Sequence, residues 1–334
     1  MHAPNKNTII RLIRQRRLDN LLIYRNNKNI VEYIVSTLLN LETSDNREKY
    51  FRKNNTSEYL ACRYLSAEFI NEMIEQGSSF HEQNYFTKQY PIHVACKYNK
   101  IDNVRALIDN DSDVDLTCLD KKGRMPIHVA CKYANKMLVQ LLVDCFDNND
   151  KFDSDLGLES RDKFERSPIH YACKYNNFDT IKILIDKNVN LECQDNTKMR
   201  PIHYACKYNN IDVIKLLIQY GVNLKCGNID GIKPIHYACQ YSNVNVVKLL
   251  IKCRADVECQ DHDNMRPIHY ACFADSKEIL DTKLNKRIDV VKYLICIGAD
   301  LNVEDDYYFT PIKYAQKHSS QDIIALLTNK LLVS

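Results

Sequence analysis

The sequence predicts an all-α repeat solenoid, built of stacked helix-turn-helix units with short β-hairpin fingers between them. Three observations carry that prediction. The stretch Pro-Ile-His-(Val/Tyr)-Ala-Cys begins at Pro91, Pro126, Pro168, Pro201, Pro234 and Pro267, and a variant, Pro-Ile-Lys-Tyr-Ala, begins at Pro311. Successive prolines lie 35, 42, 33, 33, 33 and 44 residues apart, and a period near 33 is the mark of a solenoid. Between prolines, two apolar stripes at helical spacing alternate with stretches rich in Gly, Asn and Asp.

The unit at 201 shows the logic of each element. Pro201 suits a first helical turn, where its missing N–H leaves no bond unmade. Ile202, Ala205 and Cys206 fall at i, i+3 and i+4 and predict one buried face. Asn209 and Asn210 then stop the helix, since asparagine tolerates the left-handed conformation. A second helix follows from Ile211, with Ile214, Leu217 and Ile218 as its buried stripe. Asp212 places a negative charge near the positive end of that helix, and Asp102, Asp179, Asp289 and Asp322 recur in the same place. Gly221 closes the helix, and residues 224–234 read as a turn or hairpin leading to the next unit.

The ends and the irregular spacings follow from this register. Residues 91–334 hold seven units, the last a polar C-terminal cap in which Lys313 replaces the histidine. Residues 57–90 read as a divergent unit, because Ala61-Cys62-Arg63-Tyr64 matches Ala95-Cys96-Lys97-Tyr98. Residues 1–56 read as a degenerate capping region, a half-repeat helix followed by a divergent repeat over 18–56. Arg11, Arg14, Arg16 and Arg17 form its solvated basic face. Two units exceed the period, one by an acidic insertion at 147–158 and one by an insertion at 276–286.

Composition excludes several classes. The chain has 334 residues, 45% of them hydrophobic, with a formal net charge of +3, a balance that does not demand nucleic acid. No apolar run approaches the roughly 18 residues needed to cross a bilayer. The N-terminus has no secretory signal pattern. Most of the fourteen cysteines recur with the repeat, as small apolar fillers, which predicts free thiols in a reducing, cytoplasmic compartment.

The unit resembles the ankyrin repeat, whose signature is Thr-Pro-Leu-His-x-Ala on a 33-residue period. The resemblance is strong over 57–334 and weaker over 1–56. The Pro-Ile-His-Tyr-Ala-Cys units, in a chain full of Asn, Lys, Ile and Tyr, further resemble the multi-ankyrin proteins of giant DNA viruses that infect amoebae, which would place the chain in a host cytosol. The family's threonine before proline survives only as Thr310 or Ser167, so its threonine–histidine hydrogen bond is expected to be missing from most units.

The resemblance implies a non-catalytic scaffold for protein–protein interaction, with no cofactor and no metal. It implies structural roles for His93, His128, His170, His203, His236 and His269. His203 and Cys206 have a spacing that could place two zinc ligands on one helical face, but each pair belongs to its own unit's core. Six equivalent Cys/His pairs also argue against a catalytic thiol, which needs one unique site. The end of the first helix lines the groove in this family. The expected contacts there are a ladder of Lys97, Tyr98, Lys132, Tyr133, Lys174, Tyr175, Lys207, Tyr208 and Tyr241, suited to an acidic protein surface. Arg124, Arg166, Arg200 and Arg266 are expected on basic fingers, and Tyr308 and Phe309 on an acidic, aromatic one. Two alternatives stand beside this reading. One is an adaptor that recruits a ubiquitin-ligase component through residues 1–56. The other is nucleic-acid binding, with the ladder gripping phosphates and stacking bases.

Overall fold

A computed structural model of the chain describes residues 57–110, 114–133, 136–148, 157–241, 243–273, 281–318 and 320–331, with backbone alone for a few of them. The N-terminal repeat and the basic helix expected within 1–56 lie outside these residues, as do residues 149–156 of the first insertion and 276–280 of the second. The chain divides into two compact units, Met1–Lys163 and Phe164–Ser334.

In the first unit the helix pairs are Ser57–Tyr64 with Ala67–Glu75, Pro91–Lys97 with Ile101–Asn110, and Pro126–Tyr133 with Lys136–Asn148. In the second they are Pro168–Lys174 with Phe178–Asp186, Pro201–Lys207 with Ile211–Gln219, Pro234–Tyr241 with Val244–Lys252, Pro267–Cys272 with Asp281–Cys296, and Pro311–Lys317 with Gln321–Leu331. Within each unit the first helices stack on one another and the second helices form a parallel row beside them.

The short first helices are specified by what they bury. All six residues of Pro201–Cys206 are buried, and the equivalent six are buried at 91, 126, 168, 234 and 267. Seven residues are too few for a helix to stand alone in water, so the stack supplies the stability. Asn99, Asn176 and Asn209 end first helices with φ of 54°, 59° and 59°, the left-handed stop expected of asparagine. The second helix at 211 buries Val213, Ile214, Leu216 and Leu217, whereas Ile218 is only half-buried.

Among the described residues no strand forms, so the expected β-hairpins are tight turns instead. The reason lies in one side chain per loop. Asp195 closes its loop by donating its N–H to Met199 O at 3.0 Å. Its Oδ1 then accepts the N–H groups of Thr197 at 2.8 Å and Met199 at 2.9 Å. The carboxylate satisfies donors that a facing strand would otherwise take. Asp120, Asn228, Asp261 and Asp305 repeat this arrangement. Neighbouring loops are joined by single backbone bonds, such as Lys121 N–H to Thr87 O at 2.9 Å and Ile229 N–H to Thr197 O at 2.8 Å.

Candidate partner-binding surface

The recurring histidine clips each unit to the next. In the unit at 201, His203 Nδ1 accepts the N–H of Arg200 at 3.0 Å, and Nε2 faces the Cys226 carbonyl at 3.1 Å. An acceptor at Nδ1 leaves the proton on Nε2, so Nε2–H donates to that carbonyl. His93, His236 and His269 make the same pair of bonds, reaching Arg124 O, Cys259 O and Val303 O. His128 and His170 reach Ser160 O and Met199 O. The lost threonine hydroxyl is replaced by a backbone N–H in these units, and only Ser167 adds its Oγ, 3.0 Å from His170 Nδ1. Burial pushes the pKa of His93, His203 and His236 down to about 4, against the opposing pull of their carbonyl bonds. Burial also raises the thiols of Cys96, Cys131, Cys206 and Cys239, which keeps them as unreactive SH groups. All fourteen cysteines are free thiols.

With the histidines turned inward, the ladder lies at the outer end of the first helices. Tyr98, Tyr133, Tyr175 and Tyr208 are exposed, while Lys97, Lys132, Lys174, Lys207 and Tyr241 are half-buried. In the second unit Lys174 Nζ sits 5.6 Å from the Tyr175 ring centroid and 5.3 Å from that of Tyr208. Lys207 Nζ lies 5.5 Å from Tyr237 and 5.7 Å from Tyr241. Lys174 therefore rests on rings of its own and the following repeat, and Lys207 on two rings of the following repeat. In the first unit Lys132 lies 4.3 Å from the Tyr133 ring, and Tyr98 is flanked by Lys97 and Arg63. Sequence reasoning missed Arg63, which holds the ladder position in the divergent unit.

The arginines expected on basic fingers are placed differently. Arg124 is buried and donates from Nε and Nη2 to Asp120 Oδ2 at 2.9 and 2.6 Å. Arg200 is paired with Glu192, and Arg266 with Glu258 at 2.5 Å. Arg166 stacks on Phe164 and Tyr171, at 4.6 and 5.0 Å. Phe309 packs on Tyr314 beneath Lys317. These five side chains serve the loops internally. Tyr308, in contrast, is 73% exposed.

The signal that would have separated these roles is the Asp or Asn six residues before each proline from 126 onward, at 120, 162, 195, 228, 261 and 305. Tyr204, Tyr270 and Tyr314 donate their O–H groups to Asp195, Asp261 and Asp305 at 2.5–2.6 Å. Val129 has no hydroxyl at the equivalent position, and there Arg124 takes the second oxygen of Asp120. Burial alone would raise the Asp120 pKa, but the Arg124 hydrogen bonds and charge outweigh it and hold the carboxyl below its ordinary value. Arg124→Met is expected to cost about 3 kcal/mol, because it strands a buried carboxylate. Adding Val129→Tyr should recover part of that loss by recreating the Asp195–Met199–Tyr204 set. Urea midpoints of the parent, single and double variants check both steps.

Among the described residues, no group of three or more His, Cys, Asp or Glu side chains converges as a metal site would require, and no helix is long and apolar enough to cross a membrane. The stacked helix pairs, clipped by one histidine per step and presenting a repeating cation–aromatic ladder, define a helical repeat protein. Residues 59–155, 152–228 and 220–305 match a family model described as ankyrin repeats (3 copies), and the chain belongs to the ankyrin repeat family. Comparison with curated proteins gave no match. Ankyrin repeats generally mediate protein–protein interaction and are typically non-catalytic.

Proposed function

We propose that this protein is a non-catalytic scaffold that binds an acidic protein partner along the Lys/Tyr ladder, with additional contacts from the inter-unit loops. The observation that carries this reading is the regular placement of Lys174 and Lys207 on tyrosine faces in the second unit. Tyrosine offers a large contact area with few torsions to order, and the ammonium beside it selects for negative charge. Because the ladder is fixed by stacked helices, little side-chain or backbone freedom is lost on binding. The narrower resemblance to giant-virus multi-ankyrin proteins rests on the repeat motif and supports a partner in the cytosol of an amoebal host.

Lys174→Glu/Lys207→Glu reverses the charge on two steps without touching the buried faces. Affinity purification of the full chain and of this variant from the native cell should differ by the loss of specific protein partners. Direct titration of the purified partner should then show at least a tenfold weaker Kd for the variant, equivalent to about 1.4 kcal/mol. Equal partner recovery by both proteins would exclude the ladder as the contact surface. Steeply salt-dependent retention of RNA or DNA, lost in the variant, would instead favour nucleic-acid binding.

A further inference from the structure

At the tips of the inter-unit loops the exposed charges are mainly basic early in the chain and acidic late, although Glu82 and Asp115 are exposed in the first unit and Lys225 in the second. In the first unit the exposed loop residues include Lys88, Lys121, Lys122 and Lys163. In the second, Lys198 is followed by Asp230, Asp263 and Asp306. Charges of the same sign are held side by side within each unit. Lys163 N–H donates to Lys122 O at 2.9 Å, and Asp306 N–H donates to Asp263 O at 3.0 Å. Among the described residues no ion pair neutralises Lys88, Lys121, Lys122 or Asp263, and the fold leaves this repulsion in place.

Both loop sets also expose aromatic rings. Tyr85 is 76% exposed and meets Phe86 edge-on, with centroids 5.4 Å apart. Together with Gln83, Lys88 and Lys121 these rings line an open cleft of about 390 Å³. In the second unit Tyr307 and Tyr308 are 63% and 73% exposed, beside Asp306. Tyr308 is held at φ 60°, the left-handed position that Lys88, Gly123, Glu165, Lys198, Gly231 and Asn264 take in the other loops.

We propose that the basic, aromatic cleft at 83–88 and 121 receives the acidic, aromatic loop at 306–308 of a second copy of this chain. Charge complementarity selects the occupant. The cleft presents cations and apolar rings, and the loop presents carboxylates and rings of the same type. The two surfaces differ, so the contact is heterologous and joins copies head to tail. It involves only loop tips, smaller than the roughly 1,200 Å² of a stable interface, so the association is weak and strengthens at low salt.

Sedimentation velocity of the full chain tests this. The expected result is a sedimentation coefficient that rises with concentration towards about 1 mM at low salt and loses that rise at about 0.5 M salt, where charges are screened. Lys88→Glu/Lys121→Glu and Asp263→Lys/Asp306→Lys should each sediment as a monomer throughout. An equimolar mixture of the two should associate again, because reversal at one surface matches reversal at the other. All four side chains are exposed, so each variant should melt with the parent; where one does not, Lys121→Glu and Asp306→Lys replace the doubles in the same mixing test. A parent chain that stays monomeric, variants that associate like the parent, or a mixture that fails to associate would overturn the proposal. The ladder is untouched by these substitutions, so its partner binding succeeds or fails independently.

Discussion

Lowering the pH from 7 to 5 is expected to destabilise the second unit by about 3 kcal/mol for each pH unit below 6.5. His203 and His236 each have a folded pKa of about 4, against about 6.5 in the unfolded chain. Between those values the unfolded chain binds protons that the folded chain refuses, so stability rises with pH. It is fully present above pH 6.5 and is lost as the pH falls towards 4. Each ring contributes about 1.4 kcal/mol per pH unit in that window. Burial lowers the pKa of His269 in the same direction. The structural cause is specific, since protonating Nδ1 would aim a new hydrogen at the N–H of Arg200 or Lys233. Urea unfolding at pH 7, 6 and 5 measures the slope, and His203→Gln should reduce it by about one proton. A flat profile would show that the histidines titrate normally and do not form the clip.

Ala205→Pro is expected to disrupt the middle of the second unit. Ala205 is fully buried in the helix Pro201–Lys207, which packs against the helices Pro168–Lys174 and Pro234–Tyr241. Proline there removes an intrahelical hydrogen bond and clashes with the carbonyl four residues back, at a cost of about 3 kcal/mol or more. The ring must also enter a fully buried site. Stability in a repeat stack is the sum of unit and neighbour terms, so losing one central unit removes two interfaces as well. Far-UV circular dichroism should show reduced helix at 20 °C and a broadened melt. Ala205→Gly, at about 1 kcal/mol, should keep a single transition. A melt unchanged by proline would be incompatible with this helix.

Much of the fold is legible because the repeat prints the same constraint many times. The proline, the buried stripe and the asparagine stop are local rules, and they set helix ends at Asn99, Asn176 and Asn209 without reference to the rest of the chain. The loops were less legible. Gly, Asn and Asp signal a turn, but whether it opens into a strand pair depends on who accepts its N–H groups. The Asp195 carboxylate is such an acceptor, and no strand follows.

The candidate surface divides in the same way. The amino-acid sequence by itself determined the register that puts Lys207 and Tyr208 beyond the buried face, because helical spacing alone separates positions 203 and 206 from 207 and 208. Only the tertiary structure decided which charges remain available to a partner. Arg200 and Glu192 lie eight residues apart in a non-helical loop, a separation no periodic rule pairs, yet folding closes them into an ion pair. Arg124 was drawn inward because Val129 lacks the hydroxyl that Tyr204 gives Asp195. The deciding physics is desolvation, which forces a cation to find its partner wherever packing has removed water, and packing is set by contacts between repeats rather than within them.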